Sequence, residues 1–380
     1  GLTGMILALK LAKYGLSVCI LEKKLKQQLE DERTTAISQG SVRVLKSLGI
    51  WDKLKTQAQP ILKIFVSEGI SYSGIDFDSR VAGEGPLGFI IENKHLRNNL
   101  LKSVLKSKNI IVHNNVKIKD AKFQDENLDY IKTSLGNFSS ELIVGADGRF
   151  AESRFLGNIK FSYKDFKQNA FIFNIEHKKP HKSVAVERFF PSGPLALLPM
   201  KGANGRRSSV VWTVSKKLSL NESSDDSFEK FFLKNYDNYF GKVLKISKPQ
   251  VYPLNMYSCY DYFKNKLVLI GDACQAIHPI AGQGFNLGVR DADSLAKELQ
   301  KAKNLGLELS DENILRNYSR KRLIDKKMLV NSTNILNSLF SNNFKTIQIL
   351  RKLGLYLFNK SDFLKKKSML IAMGLDGFQT

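Results

Sequence analysis

The first apolar pattern in the chain has helical period. From Met5 to Tyr14, Ile6, Leu9 and Lys13 share one spacing, and Leu7, Leu11 and Tyr14 share another; Gly15 then ends the run. A short apolar strand, Ser17 to Leu21, follows and ends in Glu22. A second helix is expected from about Gly40 to Leu48. Between Ile61 and Phe77 the period changes to two: Ile64, Val66 and Glu68, then Tyr72, Gly74 and Asp76, read as an antiparallel hairpin. A helix opening near Glu92 carries Leu96, Leu100, Leu101, Val104 and Leu105 on one face, and Ile110 to Val112 is a strand. Residues 116–123 and 128–133 form an antiparallel pair, and Glu141 to Gly148 is a short buried strand with an acidic turn.

Beyond residue 160 the pattern shifts again. Phe161 to Tyr163, Ala170 to Glu176, Ser183 to Phe190, Leu195 to Pro199 and Ser208 to Val214 read as strands of a second, antiparallel sheet. A helix over 222–240 carries Phe228, Phe231, Phe232 and Tyr236, read as a core stripe. Lys266 to Ile270 returns to a strand, followed by helices at 292–299, 314–339, 344–358 and 363–373. The implied architecture is α/β. A Rossmann-like domain (1–60, 92–160 and 262–325) is interrupted by an antiparallel sheet domain (61–91 and 161–261) and ends in a helical region (326–380). Ligand chemistry is expected where the two domains meet.

Composition adds little to the fold and something to the partners. The three cysteines, Cys19, Cys259 and Cys274, lie far apart without CxxC spacing, which argues against a disulfide framework. The formal net charge is +23, with lysines scattered along the chain, so an anionic membrane surface is a candidate partner. Ordinary solvated lysine is the competing reading. Without grouped stacking aromatics, nucleic acid is not a candidate partner.

Two segments carry chemistry. Gly1 and Gly4 before the first helix, with Glu22 after the next strand, match the second half of a GxGxxG dinucleotide unit. In that pattern the helix N-terminus faces a pyrophosphate and the carboxylate a ribose. The preceding strand and first glycine of that unit are expected to be missing from this sequence. The second segment, Gly271 to Asp291, reads GDACQAIHPIAGQGFNLGVRD. Its small residues expose backbone N–H groups at the start of a helix, and Asp272 can accept from a polyol hydroxyl. His278 has no second histidine and carboxylate at ligand spacing, so no metal is expected; Cys274 reads as small buried packing.

Together with Gly145-Ala-Asp147-Gly148 and the terminal Ala372 to Gly377, these segments resemble the FAD-dependent aromatic hydroxylases of ubiquinone biosynthesis, a branch of the single-component flavoprotein monooxygenases. The resemblance covers essentially the whole chain. It implies that Gly1, Gly4 and Glu22 bind the adenosine-diphosphate half of FAD, with Arg33 and Arg97 approaching the cofactor. It places Asp147 and Gly148 where flavin and NAD(P)H bind, and Asp272 on the ribityl and pyrophosphate portion. Pro279, Gly282, Gly284, Asn286 and Leu287 would border the isoalloxazine, with His278 and Pro279 the candidates nearest catalysis. Pro194, Leu197, Pro199, Val211 and Phe285 would line the substrate pocket. Two residues depart from the family pattern: Ala151 replaces a serine, removing a hydrogen bond, and Gln275 replaces a histidine.

The implied reaction is hydroxylation of a polyprenylated phenol with NAD(P)H and O2 through a flavin hydroperoxide. The implied setting is the bacterial cytoplasm, peripheral to the inner membrane, with a ubiquinone-biosynthesis protein complex as a further partner. Two alternatives stay open: another flavoenzyme on the same scaffold, reductase-like, and a flavin-free assembly protein of the pathway.

Overall fold

The computed structural model describes residues 1–25, 33–71, 74–124, 127–217, 225–276, 282–341 and 361–375. The chain begins with α1 (Leu2–Lys13), β1 (Val18–Glu22), β2 (Thr34–Ser38), α2 (Gln39–Ser47), α3 (Trp51–Leu54) and β3 (Gln59–Ile61). The hairpin β4 (Lys63–Glu68) and β5 (Gly74–Asp78) follows, then α4 (Ser79–Ala82), β6 (Gly88–Glu92), α5 (Asn93–Lys106) and β7 (Ile110–Asn114). A three-stranded meander comprises β8 (Ile118–Gln124), β9 (Asn127–Thr133) and β10 (Gly136–Phe138). It leads to β11 (Ile143–Gly145) and α6 (Glu152–Leu156).

The long excursion consists of β12 (Phe161–His177), β13 (Val184–Phe190), β14 (Gly193–Pro199), β15 (Arg207–Ser215), α7 (Asp225–Tyr236), β16 (Val243–Ile246) and β17 (Gln250–Cys259). The chain returns through β18 (Phe263–Lys264), β19 (Leu267–Leu269) and β20 (Gln275–Ala276). It then runs through α8 (Gln283–Asn304) and α9 (Glu312–Ser341), with α10 (Asp362–Met373) beyond. The expected helix at 344–358 lies outside the described residues.

The architecture is the expected one: a Rossmann-like α/β region interrupted by a large sheet, with helices at the C-terminal end. On the α/β side, β1 pairs with β7 in parallel and β11 pairs with β19 in parallel. One core joins α1, α5, α8, the start of α9 and these strands, with Ile6, Leu100, Leu295 and Tyr318 fully buried. Of the faces read from the sequence, Ile6, Leu7 and Leu11 on α1 and Leu96, Leu100 and Val104 on α5 are buried, while Lys13 and Leu105 are exposed.

The nine-stranded sheet runs β20-β17-β12-β15-β14-β13-β4-β5, with β16 also pairing β12. It differs from the expected antiparallel sheet in one pairing: β4 and β13 run parallel, from Lys63 opposite Val184 to Glu68 opposite Phe189. More than a hundred residues separate the two strands, and a long connection permits parallel pairing where a hairpin cannot. A second difference is that Phe161 to Tyr163 and Ala170 to Glu176 belong to one strand. β12 continues through the polar stretch by a register shift against β17 between Asp165 and Asn169, as a bulge allows.

α7 covers the outer face of this sheet. Phe228, Phe232 and Tyr236 pack on Phe173, Leu197, Val210 and Trp212, so the aromatic stripe is core as expected. The opposite face is left to a cavity shared with the α/β region.

α8 begins nine residues before the expected helix and carries Gly284 and Gly288 within it. Glycine weakens a helix by about 1 kcal/mol relative to alanine. Packing requires it at 288, because a Cβ there would lie 2.6 Å from Thr3 Oγ1 on α1. Tertiary contact between α1 and α8 therefore outweighs the local propensity that had placed the helix start later.

Candidate active site

A cavity of about 2290 Å³ lies between the α/β region and the inner face of the large sheet. That exceeds the roughly 300–1,000 Å³ of a single small-ligand pocket. Apolar residues of β1 and β11, such as Ile20 and Val144, line one part of it.

Two helix N-termini meet at the cavity. α1 starts after Gly1 and α8 after Gly282; neither has a side-chain cap and neither has an acidic residue in its first turn. The first N–H groups of a helix have no intrahelical acceptor and carry the positive end of the helix dipole. Two such ends on one cavity suit a diphosphate. Gly282 adopts φ +61, a left-handed conformation that glycine tolerates best, and this turns the chain into α8. Gln283 Oε1 beside it is buried with no hydrogen-bond partner among the described residues, an acceptor left for a ligand donor.

Glu22 stands at the end of β1 with Oε2 2.9 Å from the Gly1 nitrogen, so the carboxylate and the α1 N-terminus share one corner. The cradle, the two dipole ends and this carboxylate together fit the adenosine diphosphate of FAD. Asp147 and Asp272 lie across the same space. Burial pushes the Asp272 carboxyl up, with Arg149 and Arg154 opposing. Asp147 accepts from Ser153 Oγ at 2.6 Å and from the Ser153 N–H at 2.9 Å. Ala151, where the family pattern has a serine, is fully buried.

Of the residues singled out in the sequence, Gly1, Gly4, Glu22, Arg33, Arg97, Asp147, Gly148, Asp272, Gly282, Gly284 and Asn286 all line this cavity, as do Pro194, Val211 and Phe285. Arg33 lies over the Tyr252 ring, 5.2 Å from its centre. His278 and Pro279 lie outside the described residues.

Three residues fall elsewhere. Leu197 and Pro199 do not line the cavity; Leu197 is fully buried on the α7 face. Successive strand residues point to opposite faces, so on β14 it is Pro194, Ala196 and Leu198 that reach the cavity. Leu287 also lies off the cavity, buried at 2% exposure, one step around α8 from Asn286.

The side chain of Asn286 is occupied by the protein itself. Its Oδ1 accepts from the Ser38 N–H at 2.9 Å and from Ser41 Oγ at 2.8 Å, and its Nδ2 donates to the Ala36 carbonyl at 2.9 Å. It ties β2, a wall of the cavity, to α8.

Other contributors were not assigned roles from sequence. Asp291, fully buried, accepts the Gly271 N–H at 2.8 Å and pairs with Arg322 Nε at 2.6 Å. Burial pushes its carboxyl up, and the Arg322 guanidinium and the Gly271 N–H oppose that shift. Arg322 also bridges to Asp325, which pairs with Arg290. Tyr318 donates to the Leu269 carbonyl at 3.0 Å, so the start of α9 is fastened to the strand that delivers Gly271.

Glu187 on β13 is the other. Its side chain lines the cavity between Ala185 and Phe189, and burial pushes its carboxyl up to about 7. A lone glutamate in Val184-Ala-Val-Glu-Arg-Phe-Phe190, at the parity of Ala185 and Phe189, was the available signal. Its neighbours on the sheet face are apolar: Ile64, Val66, Ala196, Leu198 and Val211.

Cys274 and Cys259 are buried free thiols, and burial raises Cys274 well above the ordinary range. That suits packing, not nucleophilic chemistry.

The FAD binding domain family model matches residues 1–333. The ubiquinone hydroxylase UbiL of Rhodospirillum rubrum is 32% identical over 98% of this chain and 88% of that protein. The 3-demethoxyubiquinol 3-hydroxylase of Escherichia coli is 26% identical over 99% of this chain and 92% of that protein. Among solved structures, p-nitrophenol 4-monooxygenase PnpA from Pseudomonas putida superimposes with a TM-score of 0.82 at 17% identity, covering 99% of this chain and 96% of that one. PqsL of Pseudomonas aeruginosa, titled a probable FAD-dependent monooxygenase, gives 0.77 at 19% identity over 94% and 97%.

Proposed function

The chain belongs to the family of FAD-binding monooxygenases, and from that premise we propose that it hydroxylates the aromatic ring of a polyprenylated phenol in ubiquinone biosynthesis, with NAD(P)H as reductant and O2 as cosubstrate. The observation that carries this reading is the continuity of one cavity from two uncapped helix N-termini to an apolar sheet face. The first end suits a diphosphate and the second a greasy ring. Similarity to ubiquinone hydroxylases supports the choice of pathway.

FAD, when bound, supplies the electron transfer and oxygen activation that side chains cannot. The residues of this chain bind and orient. The N–H groups opening α1 and α8 hold the diphosphate, Glu22 accepts from the ribose, and Asp272 accepts from the polyol chain. Asp291 and Asn286 fix the Gly271 turn and β2 so that these donors stay in place. Ile64, Val66, Ala196, Leu198 and Val211 exclude water from the ring side.

A peripheral contact with anionic membrane belongs to the same proposal. On α10, Met369 and Met373 are buried, while Phe363 is 74% and Leu364 45% exposed beside Lys366 and Lys367. Such a helix can lie in a headgroup layer. No helix of the described residues is long and apolar enough to cross a membrane.

The deciding experiment is quinone-intermediate profiling in a hydroxylase-deletion strain carrying this gene, with the absorbance spectrum of the purified protein alongside. A yellow protein that restores a hydroxylated quinone supports the proposal. A colourless folded protein, or a yellow one that restores none, refutes it.

A further inference from the structure

The carboxylate of Glu187 sits among apolar neighbours, where packing alone gives no reason for it. It projects from the middle of β13, opposite Ala196 on one side and Val66 on the other, into the apolar part of the cavity. Among the described residues, the cavity faces of the two strands paired with β13 bring it no counter-charge. On β4 the cavity face is Ile64 and Val66, Glu68 lies beyond the lining, and Lys63 pairs with Asp78. On β14 the cavity face is Pro194, Ala196 and Leu198. Burial is the sole cause of its raised pKa. A charge in such a place costs stability, and an apolar residue would serve packing better.

We propose that Glu187 is the acceptor for the substrate's ring hydroxyl, hydrogen-bonding the phenolic O–H and taking its proton as the ring is oxidised. This rests on the phenol hydroxylation reading above and adds the residue that selects and activates the phenol.

The step balances as follows. The phenol O–H bond breaks, its proton goes to the Glu187 carboxylate, and its electron pair moves into the ring. The ring carbon forms a new C–O bond with one oxygen atom of O2, while NAD(P)H gives a hydride (two electrons and one hydrogen) and solvent gives one proton, so that the first oxygen stays on the ring as a hydroxyl and the other goes out as water. The ring C–H proton is lost as aromaticity returns and completes that water. Glu187 hands its proton back to the original oxygen. A carboxylate brought up toward neutrality is a better match for a phenol than an ordinary one, because proton transfer improves as the two acidities approach.

The test uses the flavin-loaded protein with two probes, 4-nonylphenol and its methyl ether 4-nonylanisole, binding being read from perturbation of the flavin absorbance. In the wild type the phenol should bind better than the ether, and the ratio should grow about tenfold between about pH 6 and about pH 8, as expected for a charge-assisted hydrogen bond. Glu187→Gln should bind the ether as the wild type does and lose the pH dependence of the ratio. Glu187→Asp should keep the pH dependence with a smaller amplitude. An unchanged ratio and pH profile in Glu187→Gln overturns the proposal while leaving phenol hydroxylation intact. A wild type that binds the ether and the phenol alike at both pH values also overturns it. If Glu187→Gln does not fold, the wild-type ratio and Glu187→Asp decide: a pH-independent ratio in both counts against the assignment.

Discussion

The buried carboxylate of Asp291 accepts the backbone N–H of Gly271 at 2.8 Å, across twenty residues of the segment that joins strand to helix. The same carboxylate holds Arg322 at 2.6 Å. Replacing Asp291 with Asn would leave the Arg322 guanidinium buried with only Asp325 as counter-charge. Loss of one partner of a buried pair costs roughly 3–5 kcal/mol. Asp291→Asn should melt at lower temperature and release FAD more readily. Removing both charges, as Asp291→Leu with Arg322→Met, should recover most of the melting temperature. Equal instability of the single and double variants in thermal melts would contradict the pairing.

Gly288 makes a second test of the same corner. An added Cβ would lie 2.6 Å from Thr3 Oγ1. Gly288→Ala improves helix propensity, yet it should destabilise by about 1–3 kcal/mol through overpacking and weaken FAD binding. Thr3→Ala in the same molecule should restore at least half of the loss. Flavin fluorescence on titration with FAD reads the binding, and denaturant midpoints read the stability.

Glu187 should leave its mark on stability against pH. Its folded pKa, about 7, lies above that of an unfolded glutamate. The folded state therefore holds the proton more tightly, and stability declines as pH rises through the window between the two values. Above pH 7 the carboxylate is charged inside an apolar cavity. Glu187→Gln should match the wild type near about pH 4 and exceed it by on the order of 1–3 kcal/mol near about pH 8. Urea midpoints at the two pH values measure it, and a constant difference would show that Glu187 is solvated.

The two faces of β14 should answer differently to mutation. Leu197→Ala removes a fully buried side chain from the α7 core and should cost about 2–5 kcal/mol. Its affinity for a hydrophobic phenol should hardly change. Leu198→Ala, on the cavity face, should cost less stability and weaken phenol binding. Reversed effects in paired melting and binding measurements would place the substrate on the other side of the sheet.

Much of this was legible in the chain. Periodicity placed α1, α5 and the β4–β5 hairpin, because apolar residues recur along each at the spacing of its element. The glycines and Asp272 converged on one cavity, since close backbone approach demands small residues. What local pattern could not show was set by distant contacts. The parallel β4–β13 pairing depends on a connection of more than a hundred residues. The start of α8 depends on Thr3, and the fate of Asn286 on Ser38, 248 residues away. The family resemblance assigned Leu197 to the pocket, where strand parity assigns it to the core.

The contact of Thr3 with Gly288 has a consequence for how the protein is made. The apolar residues of α1, Met5, Ile6, Leu7, Ala8 and Leu11, leave the ribosome well before α8 does. Its packing partner α8 is translated some 280 residues later. At about 5–20 residues per second, the part of α1 that α5 does not cover waits roughly 15–60 s for α8. The two helix N-termini cannot meet in that interval, so the complete cofactor site forms only after α8 is made. A nascent chain stalled before residue 283 has the α1 N-terminus and Glu22 but lacks the second helix end, and should hold FAD less tightly than the finished protein.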